Sequence, residues 1–451
     1  MKKTLTLRET IAVASTLFGM FFGAGNLIFP VHLGQMAGSN SWPAIIGFCV
    51  TAVSIPILAV AAIGNTHSED MLQLSSRVSG WYGVVLTVAM YLTIGPFFAI
   101  PRCATVSFTT GVAPMMSESS YRIGQLLFTL VFFALVLFFS LKPGQIVVWI
   151  GKVINPIFLA FLAILIVVAM VHPGAHISEV EPVADYQTGA LFHGFIEGYG
   201  TMDAIAGLVF GIVVIRIVRD LDVKEDRAVA RETLKAGVGA GALMALVYIF
   251  TIIMGAQSRG LFEVSDNGGI ALTQISGHYL GSAGRLILAI TISFACLKTA
   301  IGLVTSCSEM FEKMFPGKLT YRGWAVAFTL FSFAISNVGL TAIIAYAVPV
   351  LMLLYPLATV LIIMALTEKL FGGSKYVYRW VTLGAFIPAV FDFCKTLPEG
   401  IQTVMNIPAL TSLGSKLFPF FDLGLGWIVP SFIGLAIGVI MMKTRGKGQG
   451  V

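Results

Sequence analysis

The sequence predicts an all-α integral membrane protein of twelve transmembrane helices, with both termini on the inner side. Three observations carry this. Of 451 residues, 57% are hydrophobic and only 11% charged, against about 25% charged in an ordinary globular protein; mean hydropathy is +0.91. The apolar share, about 257 residues, accommodates twelve spans of ~20 residues each. Lys and Arg concentrate on one set of alternating loops. A soluble enzyme, a nucleic-acid-binding domain and a disordered chain are excluded by the same arithmetic.

Apolar stretches run at roughly 10–31, 42–63, 80–108, 122–141, 145–172, 190–215, 236–256, 284–308, 321–338, 341–365, 379–396 and 425–442. Helix is the natural form for each, because lipid offers backbone groups no hydrogen-bond partner. The first stretch follows Lys2 and Lys3 as a signal peptide would. It continues to about Val31 without a small-x-small cleavage pattern, and is read as a retained span. The third and eighth are longer than a bilayer requires, which predicts tilt. The longest inner loop, about 216–235, mixes Arg219, Asp222, Lys224, Asp226, Arg231 and Glu232, the pattern of a solvated helix with i,i+3 and i,i+4 ion pairs. Outer segments at about 257–283 and 397–424 are rich in Gly, Pro and Ser and hold short amphipathic pieces. With the N-terminus inside, 21 of the 28 Lys and Arg residues face inward. Arg102, Arg122, Arg259, Arg285, Lys395 and Lys416 face outward and Lys298 is left in the membrane, in accord with the positive-inside rule.

Catalytic motifs are missing from the chain. There is no HExxH or GxSxG. The string from Gly144 to Gly151-Lys152-Val153 has too long a spacer for a phosphate loop and lacks its Ser or Thr. Cys49, Cys103, Cys296, Cys307 and Cys394 stand singly in apolar stretches, as inert thiols rather than a zinc site or disulfide framework. Five of the six His residues lie in loops or at span ends, and His193 lies near the start of the sixth stretch, so solvated or interfacial roles are expected.

Two stretches are interrupted. The first contains Gly19, Gly23, Ala24, Gly25 and Asn26 ahead of Pro30; the sixth contains Glu197-Gly198-Tyr199-Gly200-Thr201-Met202-Asp203. Interrupted helices at corresponding positions of two halves point to a transporter site at the membrane midplane. Half-helix N-termini offer N–H groups to an anion, and unwound carbonyls accept from a cation or ammonium group. Close helix packing is the competing explanation, since Gly19-x-x-x-Gly23 and Gly207-x-x-x-Gly211 also fit small-xxx-small contacts. Their occurrence together, five spans apart, favours the site.

Charges at membrane depth are costly, and therefore functional candidates. Asp203 either takes part in the site or caps the second half of a broken sixth helix. Glu197 either pairs with a cation or takes up a proton, from a place nearer the outer end. Lys298, in Phe294-Ala295-Cys296-Leu297-Lys298-Thr299, is the most isolated charge. Arg102, after Pro101, is expected in the outer half of a tilted third span, as a pore-lining or an interfacial residue.

The strings Gly23-Ala24-Gly25-Asn26-Leu27-Ile28-Phe29-Pro30 and Gly95-Pro96-Phe97-Phe98-Ala99-Ile100-Pro101-Arg102, with Ala295–Leu303, resemble the branched-chain amino acid:cation symporter family, the bacterial system II carrier proteins. The resemblance covers essentially the whole chain. It implies uptake of leucine, isoleucine and valine across the bacterial cytoplasmic membrane, driven by sodium or protons. It also implies the leucine-transporter fold: a first five-helix repeat over 1–175, an inverted second repeat over 176–368, and two further spans over 369–451. No cofactor, nucleic acid or obligatory protein partner is implied beyond the amino acid, the coupling ion and the bilayer; sodium is the only metal ion in view.

Carried onto this sequence, the resemblance has Gly23, Ala24, Gly25 and Asn26 hold the substrate carboxylate. The region of Glu197, Gly198, Tyr199, Gly200 and Thr201 receives its ammonium group. A coupling site joins Gly19 and Phe22 to Ala295, Lys298 and Thr299, with Asp203 alongside. Lys298 departs from the family fold, where a second hydroxyl is expected. A lysine ammonium carries charge where a sodium ion would otherwise sit, so Lys298 is expected to weaken or replace sodium coupling and to let the carrier use the proton gradient, sodium and proton both staying open. A channel, an exchanger and an intramembrane enzyme are the competing functions. Two broken helices in inverted halves favour alternating access.

Overall fold

The computed structural model describes residues 4–66, 68–142, 145–404 and 407–445, and among them every regular element is helical. Lys2, Lys3, His67, Gly144 and Lys447 lie outside the described residues, as do the side chains of Lys152 and Arg445. Helix α1 (Leu7–Phe21) opens on a capping box: the Thr6 hydroxyl accepts from the Glu9 N–H while Glu9 Oε2 accepts from the Thr6 N–H at 2.9 Å. After a break comes α2 (Gly25–Ala37). Helices α3 (Ser41–Cys49) and α4 (Ile55–Asn65) are joined through a wide turn at Val50–Ser54, and α5 (Met71–Ser75) is short. The third stretch forms α6 (Gly80–Leu92) and α7 (Ala99–Gly111). Then follow α8 (Glu118–Leu141), α9 (Gln145–Val171), short α10 (Ala184–Gln187), α11 (Ala190–Glu197), α12 (Asp203–Asp220) and α13 (Asp226–Gln257). The chain continues with α14 (Gly268–Met314), α15 (Tyr321–Ser336), α16 (Leu340–Leu366), α17 (Lys375–Lys395), α18 (Glu399–Val404), α19 (Ile407–Leu417) and α20 (Ile428–Arg445).

Seven of the described helices or helical runs are long and apolar enough to cross a membrane, and an eighth arises if α11 and α12, bent by 46°, form one span. Helix α15, with 16 residues, reaches only about 24 Å at ~1.5 Å per residue. The α1–α2 pair is divided at its break. The lipid-facing surface is written in the sequence: on α9, Ile157, Ile164, Val167 and Val171 are each more than half exposed, spaced as one helical stripe.

Packing follows small residues. Helix α2 lies on α13, α11 on α3, α12 on α4, α14 on α7 and α9, α15 on α8, and α17 on α20. A Cβ on Gly47 would enter the Leu191 carbonyl, and one on Gly194 the Ala44 carbonyl, so α3 and α11 touch through backbone. The close-packing explanation holds for Gly207, where a Cβ would stand 2.7 Å from the Pro56 carbonyl oxygen. It does not extend to Gly23, whose Cβ would meet Thr299 only at an ordinary 3.5 Å.

Two expectations change. The third stretch is long because it is kinked: Gly95 is non-helical (φ −94°, ψ −124°), and Pro96 follows without an N–H. The 216–235 loop is not a free solvated helix, because α12 ends within it and the 32-residue α13 begins at Asp226. Its Lys235–Glu232 pair at 2.9 Å has the expected i,i+3 spacing, yet the Glu232 side chain is only 1% exposed. Glu232 accepts from the Leu5 N–H at 3.3 Å and so ties α13 to the segment before α1.

Candidate functional site at two broken helices

Both interrupted stretches are broken where the glycines stand. Helix α1 ends at Phe21, Phe22 is extended (φ −72°, ψ 96°), and α2 restarts at Gly25. Helix α11 ends at Glu197, Gly198–Thr201 make a tighter turn, and Met202 takes a left-handed conformation (φ 64°) before α12 starts at Asp203. Gly200 is required there, since a Cβ would sit 2.6 Å from the Phe29 ring.

One side chain bridges the two breaks. Asn26 Oδ1 accepts from the Gly23 N–H at 2.9 Å, and its Nδ2 donates to Asp203 Oδ2 and to the Tyr248 hydroxyl, each at 2.5 Å. Tyr248 donates in turn to Asp203 Oδ2 at 3.3 Å. All three residues are buried, and they satisfy one another through shared hydrogen bonds, which is how polar groups survive at this depth. Asp203 does not cap its own helix. The Thr201 hydroxyl accepts from the Asp203 N–H at 3.3 Å, and the carboxylate reaches across to α2 and α13 instead.

Arg102 takes the pore-lining one of the two places expected for it. It is 5% exposed and lies at the breaks rather than near the outer surface, because the kink at Gly95-Pro96 restarts α7 at Ala99. Its Nη1 donates to the Gly200 carbonyl at 2.6 Å and its Nη2 approaches the Thr201 carbonyl at 3.5 Å. The guanidinium stands over the Phe29 ring, 5.2 Å from its centre. A Cβ on Gly25 would be 2.6 Å from Nη2.

At the other end of the first break, Lys298 Nζ donates to the Gly19 carbonyl at 3.4 Å. Thr299 hydroxyl donates to the Ala295 carbonyl at 3.0 Å. Phe22 stacks on Phe18, with ring centres 4.8 Å apart. The Gly19 carbonyl, one of the two that the resemblance gives to a coupling ion, thus accepts from an ammonium group. No group of three or more His, Cys, Asp or Glu suited to a metal occurs among the described residues.

Cavities border the breaks on both sides. One of about 410 Å³ touches Asn26, Asp203, Arg102 and Thr299. Another, of about 460 Å³, is bounded by Arg102, Glu197 and Tyr199 and otherwise by apolar residues of α2, α11 and α16. A third, of about 590 Å³, adjoins it through Phe29 and Glu197 and reaches His32, whose Nε2 lies 2.9 Å from the Ser265 carbonyl oxygen. Tyr199 stacks on Tyr355 at 4.1 Å. Asp392 of α17 was not singled out in the sequence, yet it is fully buried and neither carboxylate oxygen has a hydrogen-bond partner among the described residues.

Comparison with known proteins bears on family and fold. The chain is 48% identical over 449 residues to the branched-chain amino acid permease BrnQ of Lactobacillus delbrueckii subsp. lactis, covering 99% of this chain and 100% of the relative. It is 38% identical to BrnQ of Bacillus subtilis (strain 168), over 99% of this chain and 100% of that one. It is 37% identical to the branched-chain amino acid transport system 2 carrier protein of Pseudomonas aeruginosa, over 97% of each. Among solved structures, the inward-facing conformation of Mhp1 superposes with a TM-score of 0.60 at 14% identity, over 96% of this chain and 91% of that one. This shows a leucine-transporter-like fold, as the resemblance implied. Residues 6–445 match the family described as branched-chain amino acid transport protein, and the chain belongs to that family of multi-pass membrane transporters.

Proposed function

We propose that this chain imports leucine, isoleucine and valine across the bacterial cytoplasmic membrane by alternating access. The observation that carries this reading is the direct bond between the two broken helices, Asn26 to Asp203, with Arg102 shared between the cavity at that bond and the largely apolar one beyond it. A joint that holds both breaks together is what two repeats rocking about one site require. Twelve spans with both termini inside accommodate all the apolar stretches and the Lys/Arg asymmetry. Repeats at 1–175 and 176–368 are supported by reciprocal packing: α12 lies on α4, as α2 lies on α13.

In this reading Gly23–Asn26 and Glu197–Thr201 flank the substrate, and coupling resides where Gly19 and Phe22 meet Ala295, Lys298 and Thr299, with Asp203 alongside. The Lys298 amine at the Gly19 carbonyl favours a proton over sodium as the coupling ion. Leucine uptake into proteoliposomes, driven separately by a sodium and a pH gradient, tests both points. The expected result is saturable uptake, competed by isoleucine and valine, that the pH gradient drives and Lys298→Ala abolishes. Strict sodium dependence in both wild type and Lys298→Ala overturns proton coupling. Uptake that never saturates indicates a channel.

A further inference from the structure

Arg102 is a buried cation that Asp203 attracts from a distance but that no anion contacts among the described residues. Two carbonyls accept from its Nη atoms, but Nε has no hydrogen-bond partner, and no carboxylate forms a salt bridge with it among the described residues. A guanidinium carries five N–H donors in a fixed fork, so most of its donor capacity is unspent. Burying a charge with no contacting counter-ion is costly, and its setting makes the deficit larger. Its Nη2 lies against Gly25, the first residue of α2, where the helix presents unpaired N–H groups and the positive end of its dipole. Two positive ends meet at one point, and an anion placed there satisfies both.

The same cavity supplies the opposite charge. Glu197 lines it, ends α11, and makes no hydrogen bond or salt bridge among the described residues. Asp203, the other carboxylate nearby, is already spent on Asn26 and Tyr248. Between the two charged groups the wall is apolar, with Ile196, Ile344, Val348 and Leu351. One fixed cation, one unspent carboxylate and an aliphatic wall together complement a zwitterion with a branched apolar side chain.

We propose that Arg102 and Glu197 are the two charged poles of the amino-acid site. Arg102, with the start of α2, receives the substrate carboxylate, and Glu197 receives its ammonium group. The side chain lies against Ile344, Val348 and Leu351. The inference rests on the reading of the protein as an amino-acid carrier, and moves carboxylate recognition from the α2 backbone alone to a side chain of α7. A forked guanidinium matches a carboxylate through two parallel bonds.

The test uses the full chain in proteoliposomes, with L-leucine uptake competed by L-leucinamide, which lacks the carboxylate, and by 4-methylpentanoate, which lacks the ammonium group. In the wild type each analogue is expected to compete at least tenfold more weakly than leucine. Arg102→Gln is expected to raise the leucine KM at least tenfold and to abolish the preference for leucine over leucinamide. Arg102→Lys keeps the charge but not the fork, and should recover only part of the affinity. Glu197→Gln is expected to raise the leucine KM while leaving inhibition by 4-methylpentanoate unchanged. Wild-type uptake with an unchanged leucine KM in Arg102→Gln overturns this inference alone, as does leucinamide competing with the wild type as well as leucine does. The absence of leucine, isoleucine and valine uptake by the wild type overturns the reading of function, and this inference with it.

Discussion

Asn26 spends both ends of its amide inside the membrane, on Gly23, Asp203 and Tyr248. Asn26→Ala strands the Gly23 N–H and removes a donor from Asp203, and an orphaned buried group costs about 1–3 kcal/mol. The expected outcome is a lower unfolding temperature in detergent. The Asn26→Ala/Asp203→Asn pair should lose less than the sum of the two single changes, because they share one bond. Glu232 makes a pH-dependent prediction. Desolvation pushes its carboxyl up, but hydrogen bonds from Lys235, the Leu5 N–H and Arg231 outweigh this and hold it below its ordinary range. A depressed carboxyl stabilises the fold fully above the unfolded value, about 4.3, and that contribution is lost as pH falls through the lower folded value. The Leu5 amide should therefore exchange hydrogen faster, relative to its intrinsic rate, as pH drops below about 4. Glu232→Gln should make that ratio insensitive to pH. Asn26, Asp203 and Glu197 were legible because a polar group at membrane depth stands out from its neighbours. Arg102 was visible as a residue but not as a site, since its depth depended on a kink that shifts where the helix resumes.

Helical elements were legible wherever an apolar run is long and uninterrupted, as in the tenth stretch, which becomes α16. The internal breaks were legible only in part. Glycine clusters marked the first and sixth stretches, whereas the third carries one Gly-Pro pair and reads as mere excess length. Glycine has two roles here, and composition alone does not separate them: Gly200 and Gly25 make room at the site, while Gly47 and Gly194 let α3 and α11 touch through backbone. Gly47→Ala forces α11 away from α3 and should destabilise by about 1–3 kcal/mol, the range for an overpacked contact. Gly302 on α14 is the control, with nothing within 4 Å of an added Cβ. Gly302→Ala should raise stability by roughly 0.5–1 kcal/mol, because alanine loses less backbone freedom in a helix. Thermal unfolding of the two variants should move in opposite directions; a shared downward shift sinks the packing explanation.

At the scale of the whole molecule, length and apolarity identify seven or eight crossings among the described residues, whereas apolar mass and charge asymmetry predict twelve. The difference lies in α1 with α2, α9, α15 and α20, which the twelve-span reading takes as further crossings. Orientation is decided by charge, which no packing contact records. The loop at Lys224 and the segment at Ser415 separate these alternatives, because both positions are exposed. In the twelve-span reading, spans seven to eleven lie between them. An odd number of crossings puts the two positions on opposite faces, with Lys224 inside. In a chain whose five cysteines are replaced, a single cysteine at Ser415 should react with a membrane-impermeant maleimide from outside intact cells. A single cysteine at Lys224 should react only in inside-out vesicles. Reversed labelling inverts the orientation but keeps the count. Labelling of both from one side removes a crossing between α13 and α17, and α15 is then the helix to give up, since at about 24 Å it is the one least able to span the ~30 Å hydrocarbon core.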